Sequence, residues 1–456
     1  MLIHGAVMAL WLALFARALT VDSVFSWSAG IVYVLYDTAL LAFVFWQTLA
    51  LLRPRKQTAV GAACSLGVIV AAHNEASVLA ATISALMAQS DVPDEIVIAD
   101  DGSTDGTAAL FTHHYQINAP ILGEISTPSP ILPRLRWLRL PHGGKAVALN
   151  AALCLANSDV VMTVDADTLL DRDAVASMRR AFAADTRLVA ATGILMPVCD
   201  RTPSGRVLQW FQTYEYIRNF LSRFAWGRLD SLLLISGAFG GYRRSAVLAV
   251  GGFDPDCLVE DYELIHRLRR YGPSIGQDWT TAVLGDARAT TDAPGTIGGF
   301  LRQRRRWFGG FLQTQFWYRD MIGQPQYGWL GVAMLPVKAI DTFQPIYGLL
   351  GVGLLLSYLL GGHLGVLAPV AGVISAKIVL DIGFHLWGVL LYRRWVGGHS
   401  QAGLGMALLS SLIEPFSFQI LRHLGASWGW VMFLTGGKDW DAQVRGGLLR
   451  AIAAKG

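Results

Sequence analysis

With 456 residues, of which 53% are hydrophobic and 15% charged, and a mean hydropathy of +0.42, the chain is too apolar for a wholly water-soluble enzyme. Its apolar residues gather towards both ends and leave a polar middle, the pattern of a membrane protein with one large aqueous domain. The formal net charge of +4 is small and the basic residues cluster beside apolar segments, which suits a lipid bilayer rather than a nucleic acid, for which no binding module is visible. Cys64, Cys154, Cys199 and Cys257 show no short paired spacing, so neither a zinc site nor a disulfide framework is indicated, and they read as reduced residues facing a cytoplasm.

Residues 1–56 hold two apolar segments, about 2–20 and 31–52, each near the roughly 20 residues that cross a bilayer as a helix. The first lacks a basic leader and a small-residue cleavage site, so it reads as a retained helix rather than a signal peptide. The second ends in R-P-R-K at 53–56, which by the positive-inside tendency places the following domain in the cytoplasm. Residues 57–324 then alternate β-branched runs with amphipathic stretches. L-G-V-I-V-A-A, D-E-I-V-I-A-D-D and D-V-V-M-T-V-D read as strands that end in polar turns; A-S-V-L-A-A-T-I-S-A-L-M-A-Q, T-A-A-L-F-T-H-H-Y and K-A-V-A-L-N-A-A-L-C-L-A read as helices between them. That order predicts an α/β domain with a mostly parallel sheet, its crevice at the carboxyl ends of the strands. Residues 118–135, with Pro120, Pro128, Pro130 and Pro133, read as an irregular insertion, and the pair His113 and His114 as a surface loop rather than a metal site. From 325 to 436 the chain is apolar again, near 347–360, 366–391 and 404–434, with Arg393 and Arg394 marking another cytoplasmic turn. Glu414, Pro415, Arg422 and His423 predict a broken, interfacial or paired crossing in the last segment, and residues 437–456 a cytoplasmic tail.

The chemistry-bearing residues fall at the predicted strand ends. Asp165 and Asp167 share one face of an extended strand and repel each other unless a proton or cation lies between them; a solvated strand end and a metal-assisted site are both open readings. Asn74 and Glu75 follow the first strand and Asp100 and Asp101 the second, as ligands for a nucleobase and ribose or as turn and cap residues, a role Ser103, Thr104 and Asp105 suit. Lys145, flanked by glycines at a helix start, suits a phosphate or base. Glu260 and Asp261 open an amphipathic helix whose core positions are Leu264, Ile265 and Leu268; they favour the helix dipole, or one of them is a general base. Arg302, Arg304, Arg305, Arg306 and Trp307 form either an interfacial anchor or a clamp for phosphate and sugar.

Taken together, N-E, D-D-G, G-G-K-A-x-A-L-N, D-x-D, S-G-x-F-x-x-Y-R-R (236–244), E-D and Q-x-x-R-W (Gln303, Arg306, Trp307) resemble the ordered motifs of membrane-bound inverting family 2 glycosyltransferases. The likeness is to their processive branch, the cellulose, chitin, hyaluronan and poly-N-acetylglucosamine synthases. The resemblance covers about residues 66–311 and the flanking helices. It implies a GT-A type nucleotide-sugar-binding domain in a bacterial-type inner membrane. Asn74, Glu75, Asp100 and Asp101 would hold the nucleoside, and Asp165 and Asp167 the diphosphate and its Mg2+ or Mn2+. Lys145, Gln303 and Arg306 complete the nucleotide-sugar set; Ser236, Gly237, Phe239, Glu260 and Trp307 would meet the acceptor, and Asp261 would be the base. Partners implied are a UDP-sugar, a polysaccharide or oligosaccharide acceptor, the bilayer and accessory secretion subunits, with UDP-N-acetylglucosamine favoured by the G-G-K-A-x-A-L-N form. Val259 departs from the threonine that commonly opens E-D. Transfer to a lipid-linked acceptor, a membrane transporter and a catalytically silent scaffold are the rival readings.

Overall fold

The computed structural model describes residues 2–18, 27–53, 64–362, 364–396 and 402–437. The R-P-R-K turn beyond Arg53 and the expected tail beyond residue 437 lie outside the described residues. The chain divides into two compact units. Among the described residues, one comprises 64–209 and 230–295, the other those of 2–53, 210–229 and 296–437.

The first unit is built on an eight-stranded sheet. Its strands are β1 (Leu66–Ala72), β2 (Glu95–Asp101), β3 (Leu135–Leu140), β4 (Val160–Asp165), β5 (Thr168–Leu170), β6 (Leu188–Val198), β7 (Phe239–Arg243) and β8 (Thr280–Asp292). The order is β3-β2-β1-β4-β7-β6-β8-β5. Strands β1, β2 and β4 are buried along nearly their whole length, which is why they read as continuous apolar runs rather than alternating ones. Parallel pairing runs through β3-β2-β1-β4 and joins β6 to β8, whereas β7 is antiparallel to both β4 and β6, and β5 to β8. The expected parallel arrangement therefore holds in four of the seven pairs and gives way to a mixed sheet beyond β4. The helix Ala76–Met87 buries Val78, Leu79, Thr82, Ile83 and Leu86, the three- and four-residue spacing of one helical face. The helix Lys145–Leu155 buries Ala146, Ala148, Leu149, Ala152 and Leu153 in the same way. Residues 118–134 contain neither helix nor strand, only an isolated bridge from Ile125 to Leu138.

The second unit is helical. Among the described residues, Ser28–Leu52 and Gly365–Trp395 are long and apolar enough to cross a bilayer; Leu2–Ala18 is shorter, at 17 residues. Two further helix pairs meet the same test together but are bent, Leu330–Asp341 with Gln344–Leu360 by 41° and Leu404–Phe416 with Phe418–Thr435 by 51°. The second bend falls where Pro415 sits in the 3-10 turn Glu414–Phe416.

Candidate active site

The carboxyl ends of β1, β2 and β4 lie side by side, Ala72 opposite Asp100 and Ala71 opposite Asp165, so their trailing residues share one edge. At the β1 end the Asn74 side-chain oxygen accepts from the amides of Thr104 (2.7 Å) and Asp105 (3.2 Å), and its own amide donates to Ser103 Oγ (2.9 Å). Asp105 in turn accepts from the Ala76 amide at 3.0 Å, capping the helix that follows. The two turns are thereby tied into one surface. The chain reverses at Gly102, whose φ of +68° favours glycine; a Cβ there would come within 2.6 Å of the His142 amide.

The two acids of D-D-G have different surroundings. Asp100 is 3% exposed, and its carboxylate accepts from Trp137 Nε1 (3.1 Å) and the Ser103 amide (2.9 Å). One Asp100 oxygen is thus engaged by the indole on β3 and the other by the turn that follows β2, a structural role beside its expected place at the nucleoside. Asp101 accepts from the amides of Gly143 (2.7 Å) and Gly144 (3.0 Å) and from His142 Nδ1 (2.9 Å), and its carbonyl lies 2.7 Å from His73 Nδ1. The rings of His73 and His142 lie with centroids 4.4 Å apart at 32°. His73, Asp101 and His142 have candidate ligand atoms within 4.8 Å of one another, the one such group of three among the described residues. Neither histidine was singled out from the sequence, although both adjoin motifs that were, H-N-E and H-G-G-K.

The acids of the other motifs gather around one cation. Lys145 opens its helix and donates to Asp165 Oδ1 at 2.5 Å, with Glu260 Oε1 at 3.6 Å and the Gly237 carbonyl at 3.5 Å. Antiparallel β7 makes this possible: Phe239 pairs with Val164, and the Asp165 amide reaches the Ala238 carbonyl at 3.3 Å, bringing residues 236–238 beside D-x-D. The Gly237 amide donates to Asp261 Oδ2 at 2.6 Å and the Tyr262 amide to Asp261 Oδ1 at 2.8 Å. Burial and then repulsion from Glu260 push the Asp261 carboxyl up to about 6, against the pull of Lys145 and those two amides. Burial works against the Lys145 ammonium, but Asp165, Glu260 and Asp261 outweigh it and hold its pKa above the usual lysine value. Three carboxylates around one ammonium leave an excess of negative charge that a divalent cation and oxygen ligands fit. Asp167 is 5% exposed in the turn between β4 and β5, so it does not continue the strand that carries Asp165.

Val259, 4% exposed, supplies no side-chain cap to the helix Glu260–Ser274, whose first turn carries Glu260, Asp261 and Glu263. Leu264, Ile265 and Leu268 are fully buried, as their spacing predicted. Ser236 is partly buried, its amide 3.3 Å from Thr192 Oγ1. Phe239 is fully buried, its ring packed against Gly193 in the core. Glu75 precedes the helix Ala76–Met87, where its carbonyl accepts from Val78 and Leu79. Gln303, Arg306 and Trp307 belong to the helical unit, on the helix Ile297–Trp317.

The sequence matches the model of glycosyl transferase family 2 over residues 67–251 and that of glycosyl transferase family group 2 over residues 160–436. It is similar to a poly-beta-1,6-N-acetyl-D-glucosamine synthase of Staphylococcus aureus, 31% identical over 246 residues that make up 53% of this chain and 53% of that protein. A synthase of the same name from Staphylococcus epidermidis is 29% identical over 255 residues, 55% of this chain and 56% of that protein. The chain thus spans about half the length of the curated relatives it matches. A mannosyltransferase of Pyrobaculum calidifontis, solved in complex with GDP-Man and Mn2+, has a TM-score of 0.57 over 86% of this chain and 99% of that one at 19% identity, a likeness of fold of the GT-A type expected.

Proposed function

This chain belongs to glycosyl transferase family group 2, and from that premise we propose that it is an inverting glycosyltransferase. It moves N-acetylglucosamine from UDP-N-acetylglucosamine to the end of a growing β-linked polysaccharide. The observation that carries the reading is the convergence of Asp165, Glu260 and Asp261 on Lys145 at the strand ends, with Asp261 the carboxylate whose pKa is lifted to about 6. The names of the staphylococcal relatives support the sugar and the polymer, and the Mn2+ of the mannosyltransferase complex supports a divalent ion.

In this reading Asn74, Glu75 and Asp101 face the nucleoside, and Asp165 and Asp167 would hold Mg2+ or Mn2+, whose charge would offset that of the diphosphate. Lys145, already ion-paired to Asp165, is positioned to meet the charge that develops on the leaving group. Gln303 and Arg306 secure the diphosphate, while Ser236, Gly237, Glu260 and Trp307 meet the acceptor. The acceptor hydroxyl attacks the anomeric carbon from the face opposite the diphosphate and gives its proton to Asp261. A base with a pKa near 6 is mostly ionised at neutral pH yet basic enough to take that proton, and the Gly237 and Tyr262 amides keep it aimed. The catalytic unit faces the cytoplasm of a bacterial-type inner membrane, and the helical unit carries the product outward with accessory subunits.

The test is incubation of the full chain in lipid nanodiscs with UDP-N-acetylglucosamine, UDP-glucose or GDP-mannose, with and without Mn2+, followed by mass spectrometry of the products. A ladder of N-acetylglucosamine polymer that needs Mn2+ or Mg2+ is expected. A single sugar on extracted lipid would favour the lipid-acceptor reading instead, and no transfer from any of the donors would sink the proposal.

A further inference from the structure

The segment Gln303 to Trp307 reads Q-R-R-R-W, and the functional reading employs Gln303, Arg306 and Trp307 but not Arg304. Within the helical unit Arg304 is nonetheless 8% exposed, a costly place for a guanidinium unless it is paired. Its Nη2 donates to Glu215 Oε2 at 2.7 Å, and Glu215, 2% exposed on the helix Pro203–Gly227, also takes Arg422 Nε at 3.2 Å. Arg422 reaches Glu414 at 3.4 Å, and Arg218 pairs with the same Glu414 oxygen. The result is a ladder of three guanidiniums and two carboxylates spanning several helices.

The face of the Arg304 guanidinium is occupied as well. Its central carbon lies 4.6 Å from the Phe300 ring centroid and 4.5 Å from that of Trp307. An arginine can hydrogen-bond through its edge while an aromatic ring lies on its face; a lysine ammonium is a point charge without that geometry. The helix Phe418–Thr435 approaches closely at this level: a Cβ on Gly425 would come within 2.6 Å of Arg304 Cβ, and one on Gly429 within 2.9 Å of the Arg305 carbonyl oxygen. Arg304 thus has little freedom to leave its place.

Resting on the reading of Trp307 as an acceptor contact, we propose that Arg304 is a positioning residue: anchored edge-on by Glu215, it holds the Trp307 indole in the one orientation that receives the acceptor sugar. Glu215 and Arg422 maintain that anchor from two other helices. The residue itself touches neither donor nor acceptor.

The experiment compares wild type, Arg304→Lys, Arg304→Met, Trp307→Ala and the double variant Arg304→Met/Trp307→Ala, each as the full chain in nanodiscs. Initial rates are measured with UDP-N-acetylglucosamine and a β-1,6-linked N-acetylglucosamine pentasaccharide, and UDP affinity by calorimetry. Arg304→Met should raise KM for the pentasaccharide by about 3- to 30-fold, the span from an exposed to a desolvated cation–π contact, and leave UDP affinity within about twofold. Arg304→Lys should not restore it, and Arg304→Met should add nothing to Trp307→Ala. Glu215 keeps Arg422 as a partner in the Arg304 variants, so it is not left as an unpaired buried charge. An unchanged pentasaccharide KM in Arg304→Met, or a double variant as impaired as the product of the two singles, overturns the proposal. A wild-type protein that transfers no sugar overturns the functional reading and this one with it, an outcome distinct from a working enzyme indifferent to Arg304.

Discussion

Replacing Asp261 by asparagine should abolish transfer and change the protein's stability relative to wild type by an amount that rises with pH. Burial and the neighbouring Glu260 lift the Asp261 carboxyl from 3.8 to about 6. That shift of roughly two units corresponds to about 3 kcal/mol between its two protonation states, and solvent screening of a partly exposed group brings the usable figure to roughly 1–3 kcal/mol. Because the folded pKa is the higher one, the folded state binds the proton more tightly. The stability this supplies is full below the unfolded value of 3.8, declines as pH rises, and is lost above about 6. Asparagine does not ionise, so the variant's stability relative to wild type should rise through that window and level off near neutrality. The assay is the thermal unfolding midpoint of both proteins in nanodiscs, free of metal and donor, across about pH 4 to 8. One of the Gly237 and Tyr262 amides would face the asparagine NH2, a cost that does not vary with pH, so the test is the slope: a difference that is flat across the range would refute the assignment of the raised pKa to this carboxylate. In the working enzyme the same group should give kcat/KM an acid limb, with roughly tenfold loss one unit below its apparent pKa.

Lys145→Met removes the cation that draws the Asp261 pKa down and pairs with Asp165, so the acid limb of the pH–rate profile should move to higher pH and UDP affinity should weaken; an unmoved limb would separate Lys145 from Asp261. Asp165→Asn and Asp167→Asn should each remove the enhancement of UDP binding by Mn2+ in calorimetry, and retention of that enhancement in both variants would place the ion elsewhere. Trp137→Phe strips Asp100 of its 3.1 Å indole donor and should cost about 1–3 kcal/mol of stability, read as a lowered unfolding midpoint, with UDP affinity preserved. A large loss of UDP affinity in that variant would show that Asp100 serves the nucleoside site as well.

Strands β1, β2 and β4 were legible because a parallel strand buried on both faces is written as an unbroken apolar run, bounded here by H-N-E, D-D-G and D-x-D. The insertion of β7 between β4 and β6 was not, because F-G-G-Y-R pairs across about 75 residues of sequence and carries no local mark of direction. The two aspartates of D-D-G are identical on paper. A single step along β2 gives Asp100 to Trp137 and Asp101 to the Gly143 and Gly144 amides, a distinction that depends on which strand lies alongside. The same holds for Phe239, whose ring fills a core space that Gly193 on the neighbouring strand leaves open. Arg304 and Arg306 differ by two positions on one helix, and the burial of Arg304 against Glu215 follows from a helix about 90 residues earlier.

The interleaving of the two units along the chain bears on how the protein can be made. Strand β4 must wait for β7, and between them the ribosome delivers Trp210–Leu229, which belongs to the helical unit. During that interval β3-β2-β1-β4 forms, at best, a half-sheet with its β4 margin unpaired, the kind of margin that invites adhesion between nascent chains. Halting synthesis before β8 would leave β6 and β5 without the partner strand they share, so stop codons ahead of residue 280 should deliver aggregates rather than a smaller transferase.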